Sequence, residues 1–228
     1  MFEEAEYETE NKLRNFEKYV RRQDISRFIA RYELFKMQTN IKGSIIECGV
    51  HHGGGLMAWA KLSAALEPYA LHRKVVGFDT FEGFVDIEDK NNVGKEEISN
   101  EEYFTEDYDI YEELNNIIKK FDENRYLSEF EKVDLVKGDA KVTIPKYLED
   151  NEHLLISLLF MDFDLYEPTK VALKELAPRM SAGSIIAFDE VNNEFWPGET
   201  KAMLEELNLK NYELKKFKFD PNISYITL

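Results

Sequence analysis

Four apolar runs decide what this chain can fold into. They are SIIECGV at 44–50, KVVGFD at 74–79, HLLISLLFMD at 153–162 and SIIAFD at 184–189, each ending in a polar or glycine-rich residue. A strand with one wet face alternates apolar and polar side chains. A strand apolar at consecutive positions is covered on both faces, as in a parallel sheet between layers of helices. A fifth, weaker run, KVDLVKG, lies at 132–138.

Helical patterns fall between the runs. Residues 55–66 carry Leu56, Trp59, Ala60, Leu62 and Leu66 on one face. Residues 169–178 follow Pro168, which suits a first helical turn, and 199–209 read the same way. From 212 to the end the chain alternates around Asp220-Pro221-Asn222, the pattern of an antiparallel hairpin. The expectation is a single α/β domain over 1–228 with a doubly wound, Rossmann-like, mostly parallel seven-stranded sheet and a C-terminal antiparallel hairpin.

Two segments lie outside that core. Residues 1–40 read as a charged, amphipathic helical extension that suits a dimer contact. Residues 86–132 hold 16 acidic and 6 basic side chains, most of the net charge of −16 of the whole chain. This acidic insertion keeps Tyr103, Phe104, Tyr108, Tyr111, Phe121 and Tyr126. It reads either as a solvated helical face or as a lid, since it follows the second strand directly.

So negative a chain is a poor partner for a phosphate backbone, which disfavours nucleic acid. The lone Cys48 cannot form an intramolecular disulfide, so a reducing, cytoplasmic setting is expected. No apolar run approaches the ~20 residues of a membrane span, and the acidic start is unlike a signal peptide.

Open α/β sheets bind ligands at the carboxyl ends of their strands. The first strand ends in Gly49-Val50-His51-His52-Gly53-Gly54-Gly55 and runs into a helix. Glycines there admit a ligand close to the backbone, and the helix start offers free N–H groups. The spacing is not that of the dinucleotide fingerprint. Asp79 ends the second strand, where a carboxylate can take both hydroxyls of a ribose or cap a helix. Asp162, Asp164, Asp189 and Glu190 end the next two strong runs. On neighbouring strands about 5 Å apart these acids converge. They then raise one another's pKa unless a cation neutralises them, and oxygen ligands favour a hard one such as Mg²⁺; the alternative is that each acid caps a helix separately. His51 and His52 are weaker candidates, and Cys48 reads as packing.

These segments, namely Glu47-Cys48-Gly49-Val50 with its glycines, GFDTFEGF at 77–84, MDFDLYEPT at 161–169, Phe188-Asp189-Glu190 and Pro197-Gly198-Glu199, resemble the macrocin O-methyltransferase family. The resemblance runs from about residue 40 to about residue 205. It implies a class I methyltransferase fold, S-adenosylmethionine, a divalent metal and a small-molecule acceptor with a sugar hydroxyl. By position, Asp162, Asp189 and Glu190 would ligate the metal and Asp164 would be the general base. Glu47, Gly49, Val50 and the loop Gly53, Gly54, Gly55 would hold the methionine end of the cofactor. Asp79, with Thr80 and Phe81, would take the ribose, Asp139 the adenine end, and Asp162 would border the cofactor. The acidic insertion departs from the antibiotic-pathway members.

Three other readings use the same residues. Asp162-Phe163-Asp164 mimics the motif of haloacid-dehalogenase phosphatases, whose D-x-D sits near the start of the chain. A nicotinamide oxidoreductase shares the sheet but not the glycine spacing. A non-catalytic cofactor-binding module would not need four clustered carboxylates.

Overall fold

The computed structural model describes residues 2–84 and 108–228. Five parallel strands form the centre: β1 (Ser44–Cys48), β2 (Val75–Asp79), β3 (Val133–Lys137), β4 (Ile156–Met161) and β5 (Met180–Phe188). Two short strands, β6 (Lys215–Lys216) and β7 (Ser224–Thr227), complete a seven-stranded sheet in the order β3-β2-β1-β4-β5-β7-β6. β7 runs antiparallel to both its neighbours. The expected parallel sheet and closing hairpin are both present.

Helices cover both faces. Strand residues alternate between them: Ile45, Val75, Leu158 and Ile185 pack on one side, Ile46, Val76, Leu159 and Ile186 on the other. All are fully buried, which is why the runs read as continuously apolar. The first face carries α2 (Arg22–Gln38), α3 (Gly54–Leu66) and α4 (Ile110–Glu123). The second carries α5 (Ala140–Asp150), α6 (Tyr166–Leu176) and α7 (Gly198–Glu206). A short helix at Thr9–Arg14, α1, precedes α2 in the N-terminal extension.

Some boundaries differ from the sequence reading. β4 begins at Ile156, not 153, because His153 and Leu155 are exposed ahead of it. β5 starts earlier, at Met180, through a stretch whose Ser181 and Ala182 are exposed and carry no apolar signal. Within 86–132, α4 is capped by Asp109, whose Oδ1 accepts from the Glu112 N–H at 3.0 Å, and it buries Ile110, Leu114 and Ile118. The lid reading of that segment rests on residues up to 107, which lie outside the described residues. Among the described residues no helix is long and apolar enough to cross a membrane.

The strand registers align Val136, Phe78, Cys48, Met161 and Phe188 in one row across the sheet. Whatever follows these residues stands in a line along the carboxyl edge. The strand order reverses between β1 and β4, so a crevice opens there.

Candidate active site

Backbone bonds carry the row one residue past each strand. Gly49 N–H donates to Phe78 O at 2.9 Å, Asp162 N–H to Cys48 O at 2.7 Å, and Asp189 N–H to Met161 O at 3.0 Å. Gly49 has φ +91°, and a Cβ there would lie 1.9 Å from the Asp162 carbonyl oxygen, so only glycine fits this crossing. A cavity of about 280 Å³ opens above it. Gly49, Asp79, Thr80, Phe81, Asp139, Asp162 and Asp164 of the expected residues line it, with His51 and Arg27.

Asp79 ties the loops together. Its Oδ2 accepts from Val50 N–H at 2.7 Å and His51 N–H at 2.9 Å, and its Oδ1 from Phe81 N–H at 2.8 Å. A carboxylate has about four acceptor positions, so three backbone bonds leave capacity for a ribose hydroxyl. Val50 is buried behind the turn. Asp139 is the N-cap of α5, accepting from Lys141 N–H at 2.9 Å. Gly53 is the N-cap of α3, Gly54 and Gly55 open that helix, and none of the three lines the cavity.

Glu47 lies off the cavity. Strand alternation sends it to the same face as Ile45, where it is buried against α2 and α3. Burial pushes its carboxyl up to about 7, against the pull of the Arg31 guanidinium and the Trp59 indole. Among the described residues, its Oε2 and the Arg31 Nε are buried without hydrogen-bond partners. Cys48 faces the other layer, and burial holds its thiol protonated, so it is no nucleophile.

Two of the expected acids, Asp162 and Asp164, meet Glu199. Ligand oxygens of Asp162, Asp164 and Glu199 lie within 4.8 Å of one another. Glu199, fully buried in the first turn of α7, spans two strand-end loops. Its Oε2 accepts from Glu190 N–H at 3.0 Å and its Oε1 from Asp164 N–H at 3.4 Å. The Glu190 carboxylate instead bonds the Asn193 and Asn222 side-chain amides. Asp189 is bonded through Oδ2 by Arg27 of α2, whose Nη2 also stands 4.0 Å from Asp162 Oδ2. Among the described residues no group hydrogen-bonds the buried Asp189 Oδ1.

Crowding raises proton affinity throughout. Burial, then the charges of Asp189 and Asp164, hold the Asp162 carboxyl well above the usual range. Burial, then Glu190 and Asp189, push Asp164 up to about 8. Glu199 is also raised, by burial and then Asp164. Asp164 adopts φ +61°, a left-handed conformation that costs a non-glycine residue energy and accumulates at functional sites.

The residues fit a hard divalent cation. The donors are all oxygen, and an ion with oxygens at about 2.1–2.4 Å spans about 4.8 Å at most between opposite ligands. Among the described residues, the buried Asp189 Oδ1 is a further oxygen with no hydrogen-bond partner. Sequence reading missed Arg27 and Glu199. Glu199 carried a signal, in the Pro197-Gly198-Glu199 motif; Arg27 carried none.

A parallel sheet with this order, a glycine crossing after β1, an acid ending β2 and a cavity over the reversal point define a class I methyltransferase, the fold of S-adenosylmethionine-dependent enzymes. Residues 21–208 match the macrocin-O-methyltransferase (TylF) family, and the chain belongs to it. It is an O-methyltransferase by family and by fold. The phosphatase, oxidoreductase and binding-module readings fall with that membership.

Among solved structures, the calicheamicin methyltransferase CalS11 is similar at a TM-score of 0.92 and 32% identity, over 99% of this chain and 88% of its own. Its apo form, described as a TDP-rhamnose 3'-O-methyltransferase of calicheamicin biosynthesis, gives 0.85 and 30% over 99% and 89%. The O-methyltransferase NovP shares the fold at a TM-score of 0.66 and 22% identity, over 89% and 79%. No curated protein matches the chain in sequence.

Proposed function

We propose that this chain methylates a sugar hydroxyl that has a neighbouring hydroxyl, using S-adenosylmethionine and a divalent cation, with Mg²⁺ the first choice. The observation that carries the reading is the meeting of Asp162, Asp164 and Glu199 beside a cavity that also holds Gly49 and Asp79. When bound, the cofactor supplies an electrophilic methyl group and the cation supplies Lewis acidity toward adjacent hydroxyls.

The chain's own residues then have separate tasks. Asp162 and Asp189 hold the cation, with Glu199 in the role expected of Glu190, whose carboxylate is engaged by two asparagines. Asp164 lines the cavity and takes the acceptor hydroxyl's proton at a carboxylate oxygen. Asp79 and Asp139 fix the loops on which the nucleoside rests, and Gly49 keeps the crossing open. Phe84, on the cavity wall, meets Trp196 at 5.5 Å between ring centroids, and that pair offers an apolar wall for one face of a sugar. Holding both reactants in line is the remaining contribution.

The similar CalS11 is described as acting on TDP-rhamnose, so nucleotide-linked deoxysugars are the first acceptors to try. Sugars on a natural product or a polysaccharide come next. The reading includes a cytoplasmic homodimer, for which the exposed Leu13, Phe16 and Val20 of the N-terminal extension provide apolar surface. The test is calorimetry of S-adenosylhomocysteine with and without Mg²⁺, followed by labelled-methyl transfer to sugar diols with and without chelator. Micromolar cofactor binding and chelator-sensitive transfer are expected. Absence of cofactor binding overturns the reading.

A further inference from the structure

Arg27 stands where a metal-dependent site has no need of a fixed positive charge. Its Nη2 bonds Asp189 Oδ2 and reaches toward Asp162 Oδ2, so one nitrogen carries both contacts. Arg–carboxylate pairs are strongest when two nitrogens meet two oxygens in a fork, and this pair does not use that geometry. The other Asp189 oxygen is buried and has no hydrogen-bond partner among the described residues. Among the described residues, Arg27 satisfies one oxygen of this carboxylate and no group bonds the other.

The helix that delivers Arg27 is loosely held at that end. From Arg22 to Ile29 no residue of α2 is fully buried, and Phe28 and Ile29 are exposed. Firm packing begins at Ala30, Leu34 and Phe35. The preceding Arg21 gives α2 no side-chain cap bond. The first two turns thus rest on half-buried residues, with Arg21 paired to Asp24 across the first of them. A doubly charged cation held by Asp162 and Asp189 would compete with the guanidinium for the same carboxylates, and like charges repel.

We propose that Arg27 is a displaceable counter-cation. In the metal-free protein it neutralises Asp189 and Asp162, and a divalent cation must dislodge it, so that metal binding is coupled to release of the first turns of α2. The inference rests on the divalent-cation reading above and deepens it: the N-terminal extension becomes the element that reports an occupied site.

The test uses the full chain and Mg²⁺ alone. Calorimetry of the Arg27→Gln variant is expected to show Mg²⁺ binding at least tenfold tighter than wild type, because the competitor is gone. Equal or weaker binding overturns the proposal while leaving the metal reading intact. Absence of binding in both proteins up to millimolar Mg²⁺ overturns the metal reading and the proposal with it. A second measurement needs no variant. Hydrogen exchange of wild-type peptides covering residues 22–29 is expected to quicken when Mg²⁺ is added, and unchanged or slower exchange there counts against displacement.

Discussion

Gly198 lets the first turn of α7 rest directly on the backbone of Asp164. A Cβ on Gly198 would meet the Asp164 carbonyl oxygen at 2.3 Å and the Tyr166 nitrogen at 2.6 Å. This contact brings Glu199, the next residue, beneath the Asp164 loop, where its Oε1 accepts from the Asp164 N–H. The colliding atoms are backbone, so they cannot swing aside as a side-chain tip would. Gly198→Ala is expected to cost about 1–3 kcal/mol, a fall of several degrees in melting temperature, and to cut turnover more than cofactor affinity. Calorimetric melting and S-adenosylhomocysteine titration check both parts.

Asp79 is bonded to three backbone N–H groups, and an amide cannot replace a carboxylate there. Asn would turn its NH₂ toward one set of donors, so at least one N–H loses its acceptor. Charge-assisted bonds of this kind are worth about 1.5–3 kcal/mol each. Asp79→Asn is expected to lower stability by about 2–4 kcal/mol and to weaken S-adenosylhomocysteine binding at least tenfold. Unchanged binding by calorimetry would show that the loop, not the carboxylate, meets the ribose.

Glu47 gives the fold a pH dependence that a glutamine removes. Its folded pKa of about 7 lies above the unbound value of 4.5. Between those values the native state holds more protons than the unfolded chain, so stability falls as pH rises. The contribution is complete below pH 4.5 and gone above about 7, and it amounts to about 3 kcal/mol. Urea unfolding at pH 5 and pH 7.5 is expected to show a larger loss in wild type than in Glu47→Gln. Parallel losses would mean that Arg31 keeps the carboxylate charged throughout.

Much of this architecture is legible in the residues, and the gaps have physical reasons. Buried strands announce themselves because both faces must be apolar, so Asp79, Asp162 and Asp189 could be set on one edge by knowing where each run stops. Position along a strand says less than parity. Glu47 shares the parity of Ile45 and so points to α3, although its place before Gly49 suggests the cavity. Arg27 and Glu199 reach the site from helices, 162 and 35 residues away in sequence from the aspartates they serve. On a helix a charged residue reads as surface, and nothing local distinguishes one that will be folded over an acid cluster. Glu190 shows a different gap: it stands close enough to push up Asp164, while Asn193 and Asn222, which no strand-end motif announces, donate to its carboxylate.

In the proposed reading Asp164 is the group that takes the acceptor's proton. Its φ of +61° is a conformation that asparagine tolerates as readily as aspartate, so Asp164→Asn leaves the backbone at rest. The amide keeps the shape of the side chain and loses the capacity to accept a proton. A general base contributes about 10²–10⁴ in rate. Turnover is therefore expected to fall by that factor, while S-adenosylhomocysteine affinity stays within about twofold of wild type, since Asp79 and the Gly49 crossing are untouched. Raising the pH should not rescue the variant, because the lost group is absent and not merely protonated. Full activity in Asp164→Asn would transfer the base role to another group. Glu199 is then the next to test, being the carboxylate whose oxygen accepts from the Asp164 N–H.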